Sequence, residues 1–222
     1  MLCIPVIARH TEGAIKKISE AEKQADVCEL RLDLMESFDL NKIIGAANKP
    51  VLVTYRSRKE GGEGTLDPTL VADYLVDAAY ASADYIDVEL SMPVECRERV
   101  LQEKRESRVI ISSHIWDHTP SIGDLSNLLN ESLKAQGDIV KIVTMANSMD
   151  DNIRVLQLVS EAHEKGIKII AFCMGPWGRM SRIFSLLMGG FLSFTSMEAT
   201  EESAPGQIPV NEMRNLLKYF SV

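Results

Sequence analysis

The sequence predicts an α/β fold, a single (β/α)8 TIM barrel with short loops, over 222 residues. Three observations carry that prediction. About eight strand-like runs alternate with about eight helical patterns, the order that builds a parallel sheet covered by helices. Several of these runs place ionisable residues at every second position, which a helix-covered sheet admits only where a barrel has its interior. The turn after the first run, Ala8-Arg-His-Thr-Glu-Gly13, lacks the glycine-rich phosphate cradle of the main rival, a doubly wound open sheet.

Strand-like runs rich in β-branched residues occur near 2–8, 27–34, 51–55, 85–90, 108–114, 139–145, 168–174 and 191–196. Between them, Val71, Tyr74, Leu75 and Ala78 follow helical spacing after Asp67-Pro68, a favourable helix start. Leu125, Leu128, Leu129 and Ser132 repeat the spacing, as do Met213, Leu216, Leu217 and Phe220 after Pro209; Ile153, Leu156, Val159 and Ala162 mark a further helix face. In the second run Glu29, Arg31 and Asp33 share one face, and Cys28, Leu30, Leu32 and Leu34 the other. The third run repeats this with Thr54 and Arg56, the fourth with Asp87 and Glu89, and the fifth with Ser112 and His114. Helices must pack on the apolar face, so the charged one points inward. No linker-like stretch or internal repeat divides the chain, and residues 1–222 read as one catalytic domain.

The hydrophobic share of 45% and charged share of 25% are those of an ordinary globular protein. A net charge of −8 with scattered basic residues argues against a nucleic-acid or acidic-membrane partner. No apolar run approaches the length of a membrane span, and the run at 2–8 is too short and wrongly flanked for a signal peptide. Cys3, Cys28, Cys96 and Cys173 have no CxxC spacing and read as small hydrophobes in a reducing cytosol. A cytoplasmic location is expected.

Lys141 stands in the middle of the sixth run, flanked by Ile139, Val140, Ile142 and Val143. It reads either as an edge-strand lysine facing water or as a desolvated amine able to attack a carbonyl as a Schiff-base nucleophile. Apolar residues on both sides favour burial. An iminium on this lysine would loosen a proton on the neighbouring carbon, and His114, near the end of the preceding run, is suited to take and return it. Arg182, after the seventh run, is placed either to clamp a substrate carboxylate or to form a surface salt bridge. Ser203 and Gln207, after the eighth, either meet substrate hydroxyls or shape a plain turn. Glu60, in the glycine-rich turn 59–64, either orients a histidine or is a solvated loop charge. Glu29, Asp33, Asp87 and Glu89 against Arg31, Arg56 and Lys141 form a mixed-sign network of the kind buried charges require. The carboxylates with His114 suggest a metal site, but the interleaved cations compete for the same oxygens, and no metal is expected. The glycines of 59–64 are not spaced as a phosphate loop, and nucleotide binding is rejected.

Assembled in order, these positions resemble the type I 3-dehydroquinate dehydratases (3-dehydroquinases). The matching segments are Glu29-Leu-Arg-Leu-Asp33, Tyr55-Arg-Ser-Arg-Lys-Glu-Gly-Gly-Glu63, Tyr85-Ile-Asp-Val-Glu89, Ser112-Ser-His114 with Thr119-Pro120, and Val140-Lys-Ile142. They continue with Met174-Gly, Gly178, Ser181-Arg182 and Ser203-Ala-Pro-Gly-Gln207. The resemblance implies conversion of 3-dehydroquinate to 3-dehydroshikimate in the shikimate pathway of aromatic amino acid biosynthesis. It further implies that Lys141 forms the imine, His114 moves the proton, Glu60 holds the imidazole and Arg182 binds the carboxylate. Glu29, Arg31, Arg56, Ser203 and Gln207 would line the pocket. No cofactor or metal is implied; the partners would be a hydroxylated cyclic keto acid and a second copy in a homodimer. The chain departs from its bacterial relatives at Pro5, where they often carry serine, and at Ile115-Trp116, where Asp-Phe is common. Two rivals are a Schiff-base aldolase acting on a sugar phosphate and a catalytically silent barrel that binds a hydroxylated acid.

Overall fold

The computed structural model describes residues 1–198, 200 and 202–220, so positions 199, 201, 221 and 222 of the expected single domain lie outside the described residues. Eight strands, β1 (Leu2–Val6), β2 (Val27–Arg31), β3 (Val51–Thr54), β4 (Tyr85–Glu89), β5 (Arg108–Ile115), β6 (Ile139–Met145), β7 (Ile169–Met174) and β8 (Ser193–Phe194), form one sheet. Each pairs in parallel with its neighbour, and β8 returns to pair with β1. The remaining gap, between β7 and β8, is bridged below the strands by the Phe191 N–H donating to Ile169 O at 2.7 Å. The sheet is thus a nearly closed (β/α)8 barrel.

The helices α1 (Thr11–Ala21), α2 (Leu40–Gly45), α3 (Pro68–Tyr80), α4 (Val94–Glu103), α5 (Ile122–Lys134), α6 (Met149–Glu164), α7 (Arg179–Leu187) and α8 (Val210–Phe220) follow the strands in turn. Their starts are chemically marked. At α3 the Asp67 carboxylate accepts the Thr69 N–H at 2.9 Å and Pro68 opens the first turn. At α6 the Asp151 carboxylate accepts the N–H groups of Asn147 and Ser148 at 2.6 and 2.9 Å. The expected face of α6 is corrected by the structure: Val155, Leu158, Val159 and Ala162 are buried, while Ile153 is 59% exposed. Both stripes have helical spacing. Asn152, bonded to the loop after β7, turns Val155 rather than Ile153 toward the sheet.

Strand alternation sorts the side chains into two environments. Cys28, Leu30, Val51, Val53, Ile86, Val88, Val109 and Ile111 face outward onto the helices, as do Val140, Ile142 and Ala171 in the second half. Leu52, Tyr85, Ile110, Ile139 and Ile170 fill the interior, so the barrel has an apolar floor. Glu29, Thr54, Asp87, Glu89, Ser112 and Lys141 are buried with them and cap that floor with polar groups.

β2 ends at Arg31, before the end of the strand-like run at 27–34, and Asp33 lies in a short 3-10 turn, Leu32–Leu34. Its carboxylate accepts both Arg31 Nε and Nη2 at 2.8 Å, and also the backbone N–H groups of Arg56 and Glu63 at 3.2 and 3.1 Å. Asp33 therefore ties the end of β2 to both ends of the loop after β3. Burial pushes its carboxyl up, but Arg31 and the backbone donors outweigh this and hold it below the usual range. Such a group stabilises the fold above its unfolded-state value and loses that contribution as pH falls through the folded one. Asp33→Ala leaves the Arg31 guanidinium, 12% exposed, without its partner. The expected loss is about 3–5 kcal/mol in urea unfolding at neutral pH, and a variant within about 0.5 kcal/mol of wild type refutes the clamp.

Candidate active site

The C-terminal ends of the strands open into a pocket of about 490 Å³. Lys141 reaches it from the middle of β6 and is 3% exposed. Its ammonium Nζ donates to Asp87 Oδ2 at 3.0 Å, lies 4.0 Å from Glu29 Oε1, and sits 4.3 Å over the Phe194 ring. The edge-strand reading is excluded, because β6 has β5 on one side and β7 on the other. The amine is out of solvent, but it is paired with carboxylates rather than surrounded only by hydrocarbon.

His114 follows from strand register. Ser112 is paired with Lys141 and His114 with Val143. In the backbone His114 therefore stands one inward position nearer the barrel mouth than Lys141, about 6–7 Å along the strand, and both side chains line the same pocket. Its Nδ1 is 3.0 Å from Glu60 Oε2. Burial first, then the positive charges of Arg56 and Lys141, push this imidazole well below its ordinary value, so the ring is neutral.

Glu60 is not a solvated loop charge. It ends a 3-10 turn, Arg58–Glu60, that folds back over the strands, and it is 5% exposed. Burial, then the negative charge of Glu89, raises its carboxyl to about 7. When ionised, Glu60 can only accept a hydrogen bond. The Nδ1–H then donates to it and the Nε2 lone pair is free.

Arg56 holds this group together. Its Nη1 donates to Glu89 Oε1 at 2.9 Å, Ser112 Oγ at 3.1 Å and Glu60 Oε2 at 3.4 Å. Its Nη2 is 2.8 Å from Asp87 Oδ1 but off the hydrogen-bonding direction, a close ion pair rather than a hydrogen bond. Burial pushes the Asp87 carboxyl up, but Arg56 and Lys141 outweigh it and hold the group well below the carboxylate range. Glu29 accepts the Thr54 hydroxyl at 2.9 Å.

Arg182 lies in the first turn of α7, not in the preceding loop, and is 1% exposed; a surface salt bridge is excluded. It spans the gap between the last two strands, stacked 4.5 Å over Phe172 of β7, with Nη1 donating to Phe194 O of β8 at 3.4 Å. Its Nη2 donates to Pro205 O at 3.1 Å. Nε has no partner, and among the described residues no carboxylate lies within ion-pair distance. Burial lowers its pKa to about 10. Ser203 and Gln207 bond one another: Gln207 Nε2 donates to Ser203 Oγ at 3.0 Å and the Ser203 N–H to Gln207 Oε1 at 2.9 Å. Both line the pocket, as do Glu29, Arg31 and Arg56. Among the described residues no three His, Cys, Asp or Glu side chains are grouped to hold a metal.

Two contributors lie outside the sequence expectation. Ser91 donates to Glu60 Oε1 at 2.6 Å, and its signal was present, since Asp87, Glu89 and Ser91 continue one alternation. Trp116 walls the pocket against Gly61, a tertiary contact with no local signature.

A buried amine and a neutral imidazole in one pocket of a parallel barrel fit a Schiff-base-forming lyase that acts on a small molecule. The family model of type I 3-dehydroquinases matches residues 2–222. The chain belongs to the type I 3-dehydroquinase family. It is 37% identical over 219 residues to the 3-dehydroquinate dehydratase of Thermococcus gammatolerans, covering 98% of this chain and 97% of that protein. It is 36% identical over 225 residues to the chloroplastic bifunctional 3-dehydroquinate dehydratase/shikimate dehydrogenase of Arabidopsis thaliana, of which it spans 37%. The crystal structure of 3-dehydroquinate dehydratase from Geobacillus kaustophilus superposes with a TM-score of 0.89 at 26% identity, covering 99% of this chain and 90% of that one. The enzyme from Clostridium difficile, with covalently modified comenic acid, matches with a TM-score of 0.89 at 27% identity, covering 99% and 91%. Among the described residues no helix is long and apolar enough to cross a membrane.

The turn that delivers Glu60 depends on Gly61. Its φ is +80°, and an added Cβ would lie 2.0 Å from Trp116 Cε2 and Cζ2. Gly61→Ala is expected to lower stability by at least about 1 kcal/mol and to shift Trp116 fluorescence; an unchanged spectrum and unfolding midpoint refute the contact.

Proposed function

We propose the following division of labour in the dehydration of 3-dehydroquinate to 3-dehydroshikimate. Lys141 adds to the ring ketone, the carbonyl oxygen leaves as water, and an iminium results. Ammonium plus carbonyl gives iminium plus water, so the positive charge stays where Asp87 is 3.0 Å away and Glu29 4.0 Å. The neutral His114 removes a proton from the carbon beside the iminium, giving an enamine. The imidazolium then returns that proton to the departing hydroxyl, and hydrolysis frees Lys141 and the enone. Arg182 binds the substrate carboxylate, a role supported by its burial at the pocket with Nε unbonded and, among the described residues, no carboxylate within ion-pair distance. Glu29, Arg31, Arg56, Ser203 and Gln207 grip the hydroxyls. The electron sink is the imine itself, so no cofactor or metal enters the scheme.

The observation that carries this reading is the paired register of β5 and β6, which brings the Glu60-held His114 and the buried Lys141 from neighbouring strands into one pocket. Residues 1–222 act as one catalytic domain, supported by the continuous ladder from β7 round to β8. A cytoplasmic homodimer is the working form. Four free cysteines support the compartment. Exposed Met149, Ile153 and Trp177, on and beside the start of α6, support a covered surface.

Borohydride in the presence of 3-dehydroquinate should add substrate-derived mass to the peptide containing Lys141. Lys141→Ala should give neither adduct nor enone absorbance. His114→Ala should still trap while turnover falls about 10²–10⁴-fold. Binding without any adduct in the wild type would instead support the silent barrel, and cleavage of a sugar phosphate the aldolase. Because Glu60 must be ionised to leave Nε2 unprotonated, kcat should rise with pH through about 7, the carboxyl's displaced value. A kcat already flat at about pH 5 refutes that assignment.

A further inference from the structure

A second cavity, of about 550 Å³, lies behind the active-site wall, with Tyr55, Leu66, Val71 and Met92 on its apolar side. Its polar edge is Ser57, Lys59, Glu89 and Ser91, so one cation and one carboxylate face it beside the serine. Ser91 is exposed, whereas the Glu60 carboxylate it touches is 5% exposed. The Ser91 hydroxyl donates to Glu60 Oε1 at 2.6 Å, and the other oxygen of that carboxylate is the one 3.0 Å from His114 Nδ1. A hydrogen-bonded chain therefore runs from the side cavity, which Ser91 lines, through Glu60 to the ring in the substrate pocket.

We propose that Ser91 is a positioning residue for the dehydration: its hydroxyl holds Glu60 as the acceptor for the His114 ring and connects that buried pair to solvent through the side cavity. The inference rests on the mechanism above and deepens it. Glu60 needs such a donor because the groups packed against it oppose one another. Arg56, beyond the end of β3, reaches Oε2 from 3.4 Å; from β4, Glu89 and Asp87 repel its charge; from β5, the neutral ring offers one N–H. Burial and Glu89 favour the protonated acid, and the Ser91 hydroxyl, an uncharged donor, favours the anion. The same hydroxyl passes protons in balance. It accepts one from a hydronium ion of the solvent as it gives its own to Oε1, so the hydronium becomes water, the serine is unchanged and the carboxyl gains one proton. A substrate filling the main pocket would leave this route open.

The test is Ser91→Ala against Ser91→Thr, an exposed position where neither change disturbs the core. In Ser91→Ala the acid limb of kcat for 3-dehydroquinate should move upward by about one pH unit, lowering turnover near pH 6 about tenfold while the value near pH 9 stays within about twofold. Ser91→Thr should restore the wild-type profile. The His114 ring signals, followed by NMR in the unliganded protein, should show the same displacement without any turnover. Superimposable profiles, an equal loss at every pH, or a threonine that does not restore the limb each overturn the proposal. If the wild type makes no enone, the dehydration reading falls by itself, and the NMR titration alone decides whether Ser91 sets the charge of Glu60.

Discussion

The Arg56 guanidinium is the charge on which the interior depends. It is 5% exposed and lies within ion-pair distance of Glu60, Asp87 and Glu89. Three buried carboxylates so close together would otherwise take up protons rather than remain anions. Asp87 in particular has to stay ionised to face the Lys141 ammonium. Burial acts against Arg56 as well, yet the surrounding carboxylates more than compensate and raise its pKa above the usual value. The arrangement is mutual, and removal of any one member exposes the charge of the others to a medium that solvates it poorly.

The barrel gives this network its place. Below it the interior is hydrocarbon, outside it the strands are sheathed by helices, and only the mouth is open. The weakest part of the ring is the β7–β8 gap, where β8 has only two residues. Arg182 fills that gap, stacked on Phe172 and bonded to the carbonyls of Phe194 and Pro205. A side chain that completes the wall thus also brings a positive charge to the pocket. In the proposed reaction, closure of the fold and recognition of an anion would be functions of one residue.

Much of this was legible in the sequence, because a period of two can be read without coordinates. The inward set Glu29, Asp87, Glu89, Ser112 and His114 follows from alternation once the outer faces are assigned to helices, whereas Lys141, with apolar residues on both faces of its strand, left two readings open that the neighbouring strands decide. Helix rotation was less legible. Ile153 and Val155 both begin plausible stripes on α6, and a tertiary bond from Asn152 decides between them. Burial of Glu60 and Arg182 was not legible from spacing, since both are carried by segments after a strand whose path depends on distant contacts: Gly61 against Trp116 for one, the unpaired edge of β8 for the other. The family resemblance supplied their roles where the residue pattern left two readings open.

Two cations arise in the proposed reaction, and the site separates the anions that meet them. The iminium inherits Asp87 and Glu29, already beside Nζ in the resting state. The imidazolium has Glu60, 3.0 Å from its Nδ1. Burial displaces these two groups in opposite directions, the ring downward and the carboxyl upward to about 7, because it penalises the charged form of each. A neutral ring can accept the substrate's proton, and only then does it become the cation that Glu60 best stabilises. Were the ring instead charged at rest, it would have no lone pair to offer, and the same hydrogen bond would hold it inactive. Arg56 lies within ion-pair distance of both Asp87 and Glu60, so the carboxylate beside the early cation and the one beside the late cation are both held ready as anions by a single guanidinium.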